Sequence, residues 1–146
     1  MNTVEQERDM NTPLDEVTAS YHRCREDDRF IDSFYDIFLL KSPKIAKMFE
    51  HTDFRHQKLM LRESLLEMLC LEQGIEGART EIEQLGQRHK DLRIPSEMYT
   101  MWLDSLCEAV QKHDPQCTPE LTKKWRAAMQ PGINLMISAI DPPAEG

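Results

Sequence analysis

Three side chains able to donate, accept or ligate occupy positions that helical spacing assigns to apolar residues. In "ARTEIEQLGQRHKD", Ala78, Ile82, Leu85 and His89 recur at i, i+4, i+7 and i+11, one face of one helix. Glu81, Glu83, Arg88 and Lys90 lie off that line, so the His89 imidazole points where the apolar residues point. In "FRHQKLMLRESLLEMLCLE", Phe54, Gln57, Leu61, Leu65 and Met68 form a second stripe whose polar member is Gln57. In "RFIDSFYDIFLLK", Ile31, Phe34, Tyr35 and Phe38 share a third face, and Tyr35 carries a hydroxyl that needs a partner when buried.

Each of the three has an ordinary alternative. His89 can be a core histidine satisfied by one hydrogen bond, Gln57 can lie at the edge of its stripe and reach water, and the Tyr35 tip can reach the surface. A buried amide without a partner costs about 1–3 kcal/mol, so Gln57 has to meet something. Taken together, an imidazole, an amide and a phenol are turned by three helices into an apolar space. A pocket for a flat apolar cofactor with one reactive centre needs this set. Neutral imidazole is a good ligand for iron, and a phenol and an amide can donate to a polar diatomic on the other side.

The elements that must position these groups are helices throughout. Apolar runs at helical spacing recur from end to end, and no alternating stretch is long enough for a strand. Thr12 and Pro13 can open the first helix, "LDEVTASYHRCRED". Asp27 or Asp28 is the expected cap of the second. Ser42 with Pro43 opens a short third, "PKIAKMF", and Thr52 or Asp53 caps the long fourth. Gly74 and Gly77 break the chain before the helix of His89. Pro95 biases Ile94 toward an extended conformation and ends that helix. "PSEMYTMWLDSLCEAVQKH" follows, and Thr118 with Pro119 opens the last helix. Pro131 is expected to kink or break it. About seven unequal helices suit a globular all-α fold around a pocket better than a four-helix bundle.

Composition narrows the partners. The chain has 146 residues, 40% of them apolar, enough for one domain with a sizeable core. A formal net charge of −8 argues against nucleic acid and anionic lipid as partners. No apolar run approaches the roughly 18 residues of a membrane span. The opening "MNTVEQERDMNTP" is polar, without the apolar stretch of a secretion signal, and is expected to be a flexible tail. Residues 14–140 are expected to form the domain, with tails at 1–13 and 141–146. Cys24, Cys70, Cys107 and Cys117 form no C-x-x-C pair, which points to a reduced, cytoplasmic protein. His22 and His113, on charged segments, are expected to be solvated.

With these residues in place, the sequence resembles a globin, more narrowly the bacterial single-domain globins and the globin domain of flavohaemoglobins. "FYDIFLLKSPKIAKMFEHTD" is similar to the family's B and C helices, with Tyr35 in the middle of B, a proline opening C and Phe49 as the phenylalanine that packs on haem. "RHQKLML" resembles the distal helix, with Gln57 facing the bound gas and Leu61 one turn on. "LGQRHKDLRIPSEMYTMWLDSL" resembles the F helix, the corner after it and the G helix. The spacing in "KKWRAAMQPGINLM" echoes the H helix. The likeness extends from about residue 14 to about residue 140.

The resemblance implies haem b with its iron. His89 would be the proximal iron ligand, Leu85, Ile94 and Tyr99 would wall the proximal side, and Phe49 and Leu61 would line the ring plane and the distal side. Tyr35 and Gln57 would be the distal donors that act on the bound gas. It implies binding of O2, NO or CO, with tight O2 binding, suited to oxidising NO to nitrate or to sensing rather than to transport. Two departures stand out. Flavohaemoglobins continue into flavin and nicotinamide domains without counterpart in this sequence, so a separate reductase is the expected electron source. Their last helix also supplies a glutamate to the proximal histidine and tyrosine. Here no glutamate occurs between Glu120 and Glu145, and Asp141 is the nearest acid. His56, beside Gln57, and His51 are alternative sixth ligands only if the distal helix shifts, since neighbours on a helix point about 100° apart.

Overall fold

The computed structural model describes residues 13–91 and 94–140. Among them are seven α-helices: α1 (Pro13–Arg25), α2 (Phe30–Leu39), α3 (Pro43–Met48), α4 (Phe54–Glu72), α5 (Ala78–Asp91), α6 (Glu97–His113) and α7 (Pro119–Ile140). None of the described helices is long and apolar enough to cross a membrane. The expected tails fall outside the described residues, except for Pro13, which opens α1.

Local chemistry accounts for most of the boundaries. The Ser42 hydroxyl accepts from the Lys44 N–H at 3.1 Å, and Pro43 takes the first helical position, where no N–H is needed. Asp53, rather than Thr52, caps α4, its carboxylate accepting from the Arg55 N–H at 3.1 Å. The Thr118 hydroxyl accepts from the Leu121 N–H at 3.1 Å and opens α7. Gly74 and Gly77 have φ of +75° and +94°, a left-handed conformation that side chains resist, so they turn the chain between α4 and α5.

Two boundary expectations are corrected. The residue preceding α2 is Arg29, whose side chain caps nothing. Asp27 instead accepts from the Arg29 N–H at 2.9 Å, closing a tight turn before the helix. Of the kink or break expected at Pro131, the break is absent, and α7 runs as one helix from Pro119 to Ile140.

The long α7 organises the packing, because it touches α1, α4, α5 and α6, while α2 packs chiefly on α6. Its centre is Trp125, fully buried, whose ring meets Tyr21 edge-on at 6.3 Å. The Trp125 indole N–H donates to the Ser20 hydroxyl at 2.9 Å, and Ser20 donates to Asp114 at 2.5 Å. Arg23 donates to both carboxylate oxygens, from Nε to Oδ1 at 2.6 Å and from Nη2 to Oδ2 at 2.9 Å. Burial works to raise the Asp114 pKa, but hydrogen bonds from Arg23, Ser20 and the Gln116 N–H outweigh it and hold the carboxyl below its ordinary range.

A second buried polar link overturns the expectation for His113. Its side chain is 7% exposed. Nδ1 bonds to Asp27, and Nε2 lies 2.7 Å from the Ser33 hydroxyl. The imidazole therefore pins the end of α6 to the start of α2. Lys112 beside it is exposed, so the charge run around His113 is one face of the helix and its imidazole is on the other. His22 is exposed, as its sequence context suggests.

Candidate functional site

Between these helices lies a cleft of about 820 Å³, including its mouth. Helices α2 to α7 all contribute to its wall. The lining is mostly apolar and aromatic, and the three polar side chains singled out in the sequence, Tyr35, Gln57 and His89, all belong to it.

Helix α2 carries Tyr35 inward with Phe34 and Phe38, and all three are buried. The Tyr35 ring is held edge-on by Phe49 at 6.0 Å and Phe54 at 5.4 Å. Helix α4 brings Gln57 alongside, and its amide donates to the Tyr35 hydroxyl at 3.1 Å. The ordinary alternative for Tyr35 does not hold, because the phenol is buried, and Gln57 is half-buried with its amide engaged. Burial pushes the Tyr35 pKa up to about 12, and the Gln57 hydrogen bond lowers it only in part. The group remains a neutral phenol with a proton to donate.

Helix α5 carries His89 into the same cleft, one turn beyond Leu85. The His89 Nδ1 lies 2.9 Å from the Leu85 carbonyl oxygen, and since a carbonyl only accepts, Nδ1 carries the proton. That leaves the lone pair on Nε2, for which no hydrogen-bond partner occurs among the described residues. Burial, only partly opposed by the Leu85 hydrogen bond, holds the imidazole pKa below its ordinary value and keeps the ring neutral. The backbone behind the ring is tied down as well, the Ile94 N–H donating to the His89 carbonyl at 3.2 Å.

The other expected pocket residues lie in the same wall: Phe49 and Leu61, then Leu85, Ile94 and Tyr99 near His89. The Tyr99 and His89 rings are 6.1 Å apart, and the buried Tyr99 hydroxyl has no hydrogen-bond partner among the described residues. His51 is 90% exposed and His56 is exposed, and neither lines the cleft.

Several lining residues were not singled out as site residues from the sequence. Met98 and Trp102 flank Tyr99 on α6 at one residue before and three after, the spacing that would have found them. Ile133 and Met136 come from α7 beyond Pro131, three residues apart on one face of the helix. Met48, Met60 and Ser64 follow from the phase of α3 and α4, given Phe49, Gln57 and Leu61.

The donor set fits haem. Among the described residues no three His, Cys, Asp or Glu side chains converge to cage a metal. The cleft offers a single strong ligand, the Nε2 of His89, and so suits an iron whose remaining in-plane ligands come with a flat organic ring. The apolar walls accept the faces of such a ring. The hydrogen bond from Nδ1 to a backbone carbonyl is the support that metal-ligating histidines generally have.

The comparisons agree. The model of the globin family matches residues 32–136. A crystal structure of a Pseudomonas aeruginosa protein, described as structurally highly homologous to a human haemoglobin, superposes with a TM-score of 0.84 at 35% identity, covering 88% of this chain and 98% of that one. No curated protein matches the sequence. From the cleft, the helices that form it and the family model together, the chain belongs to the globins, the haem proteins that bind diatomic gases.

Proposed function

We propose that the chain is a haem b globin in which His89 is the proximal iron ligand and Tyr35 and Gln57 are the distal donors. It would hold O2 tightly and serve NO and O2 redox chemistry with a separate reductase. The observation that carries this reading is the presence in one cleft of an imidazole with a free Nε2 and a phenol already engaged by an amide.

Bound haem supplies an iron that takes O2, NO or CO and exchanges electrons with them. The rest is the work of the chain. Gln57 donates to the Tyr35 oxygen, which orients the phenol and leaves its own proton free to point into the cleft. A fixed O–H donor in an apolar site stabilises negative charge that develops on a gas molecule, and needs no reorganisation to do so. Leu85 fixes the tautomer and rotation of His89 through its carbonyl. Phe49 and Leu61 fill the distal and ring-edge space, and Leu85, Ile94 and Tyr99 exclude water behind the imidazole.

A second reading, a gas sensor or O2 store without turnover, draws on the proximal side. Among the described residues no carboxylate meets the Tyr99 hydroxyl, and the last helix has no glutamate beyond Glu120. Only a neutral carbonyl then draws on the His89 Nδ1 proton, which weakens the electron donation that redox turnover needs. The free state of all four cysteines supports a reducing, cytoplasmic setting, and residues 14–140 are assigned to the one domain.

An absorption spectrum with a haemochrome assay tests the cofactor. His89→Ala should abolish haem retention or weaken it greatly, and a variant with an unchanged ferrous spectrum would remove His89 as the ligand. Nitrate formation from NO with a cellular reductase under turnover separates the redox reading from the sensor or store.

A further inference from the structure

The methionines of this chain are concentrated around the cleft. The sequence has 9 methionines in 146 residues, and five of them, Met48, Met60, Met68, Met98 and Met136, belong to the cleft wall. Elsewhere the core is closed by branched aliphatic and aromatic side chains, and Met129 is the one methionine among its buried residues that lies away from the cleft. One of the five also has a place made for it. A Cβ added to Gly132 of α7 would stand 2.9 Å from the Met68 Cε and 3.0 Å from its Cγ, so the glycine leaves the room that this side chain occupies.

A thioether surrendering two electrons becomes a sulfoxide, a change that cells reverse enzymatically. Thiols would compete for the same oxidants, but none of the four cysteines lines the cleft. Burial also pushes the Cys24 and Cys107 thiols up to about 12 and about 11, away from the reactive thiolate. The thioethers are thus the oxidisable sulfur of the cleft. They stand among groups that oxidation would damage, the Tyr35 and Tyr99 phenols and the Trp102 indole.

We propose that this lining is a peroxide sink, in which Met68, Met98 and Met136 take an oxygen atom from hydrogen peroxide that enters the cleft. The inference rests on the haem reading above. In the step, an S–O bond forms and the peroxide O–O bond breaks. Sulfur is oxidised by two electrons, and the other oxygen leaves as water with both peroxide protons. Haem held by His89 would supply the redox-active iron that activates peroxide within the cleft, so oxidation would follow position around the cleft and not exposure to solvent. These three side chains are buried, whereas Met101, outside the cleft, is half-buried. Position and exposure therefore predict opposite orders for these three and Met101.

The test compares the ferric haem-loaded protein with protein loaded with zinc protoporphyrin, which fills the cleft without iron. Each is treated with a few equivalents of hydrogen peroxide, and sulfoxide is mapped by peptide mass spectrometry. The expected result is more sulfoxide at Met68, Met98 and Met136 in the iron form, with Met101 and Met129 equal in both forms. Sulfoxide at Met101 first, in both forms alike, overturns the proposal, and so does an iron form whose buried cleft methionines stay unmodified. Replacing the three by leucine conserves volume, and the triple variant should lose its Soret band to peroxide faster than the parent; equal bleaching counts against a sink. A protein that takes up no haem fails the haem reading and this inference with it. A haem-loaded protein whose sulfoxides follow exposure fails the inference alone.

Discussion

The Gln57 amide donates to the Tyr35 hydroxyl at 3.1 Å, so the phenol oxygen is already an acceptor and its proton is free to face the cleft. A hydrogen bond to a group carrying charge contributes about 1.5–3 kcal/mol, and 1.4 kcal/mol is tenfold in a rate or equilibrium. Tyr35→Phe is therefore expected to speed O2 release by about ten- to hundredfold. Gln57→Leu, which loosens the phenol without removing it, should have a smaller effect in the same direction. Stopped-flow off-rates measure both, and an unchanged rate in Tyr35→Phe takes the phenol out of the distal role.

His113 tests whether a polar side chain within a charged run can be part of the core. It bonds to Asp27 through Nδ1 and to Ser33 through Nε2, with the Phe30 ring edge-on at 6.1 Å. His113→Ala should cost about 2 kcal/mol in urea unfolding, because it opens a cavity and leaves the buried Ser33 hydroxyl without its partner. A surface histidine would give a change within about 0.5 kcal/mol.

Asp114 sets part of the acid response. Its carboxyl is held below the ordinary carboxylate pKa in the folded protein, so the unfolded chain takes up the proton first as pH falls. The stabilisation is complete above the unfolded value of about 3.9 and is lost as pH drops through the lower folded one. Asp114→Asn should lower stability at neutral pH by about 1.5–3 kcal/mol. It should also flatten the dependence of unfolding free energy on pH below about 4. A variant with the parent's slope in that window would show that the network does not carry this charge.

Gly132 tests the fit of α7 against the cleft. Gly to Ala inside a helix usually gains about 0.8–1 kcal/mol. Here the new Cβ would press on Met68. The thioether end is flexible and can yield toward the cleft, so Gly132→Ala should change global stability by less than about 1 kcal/mol. Haem affinity should fall as cleft volume is lost. A variant with normal stability and normal haem transfer to a competing apoprotein would show that Met68 is displaced elsewhere.

What the sequence determined by itself is the helical class, most helix boundaries and the direction of three polar side chains. Periodicity carries this information because a residue's phase on its own helix needs no knowledge of other helices. That is why His89 could be turned inward from Ala78, Ile82 and Leu85 alone, and why Ser42 and Asp53 announced their helices. Identity of phase did not reveal partners. Whether Gln57 would meet Tyr35 or water depended on how α4 crosses α2, a relation between elements 22 residues apart in sequence. The burial of His113 depended on Asp27 and Ser33, 86 and 80 residues away, and no local pattern encodes contacts at that range. The tertiary structure alone decided which side chains share the cleft, gathering five methionines from four helices, because a cavity belongs to the space between helices and to no single one of them.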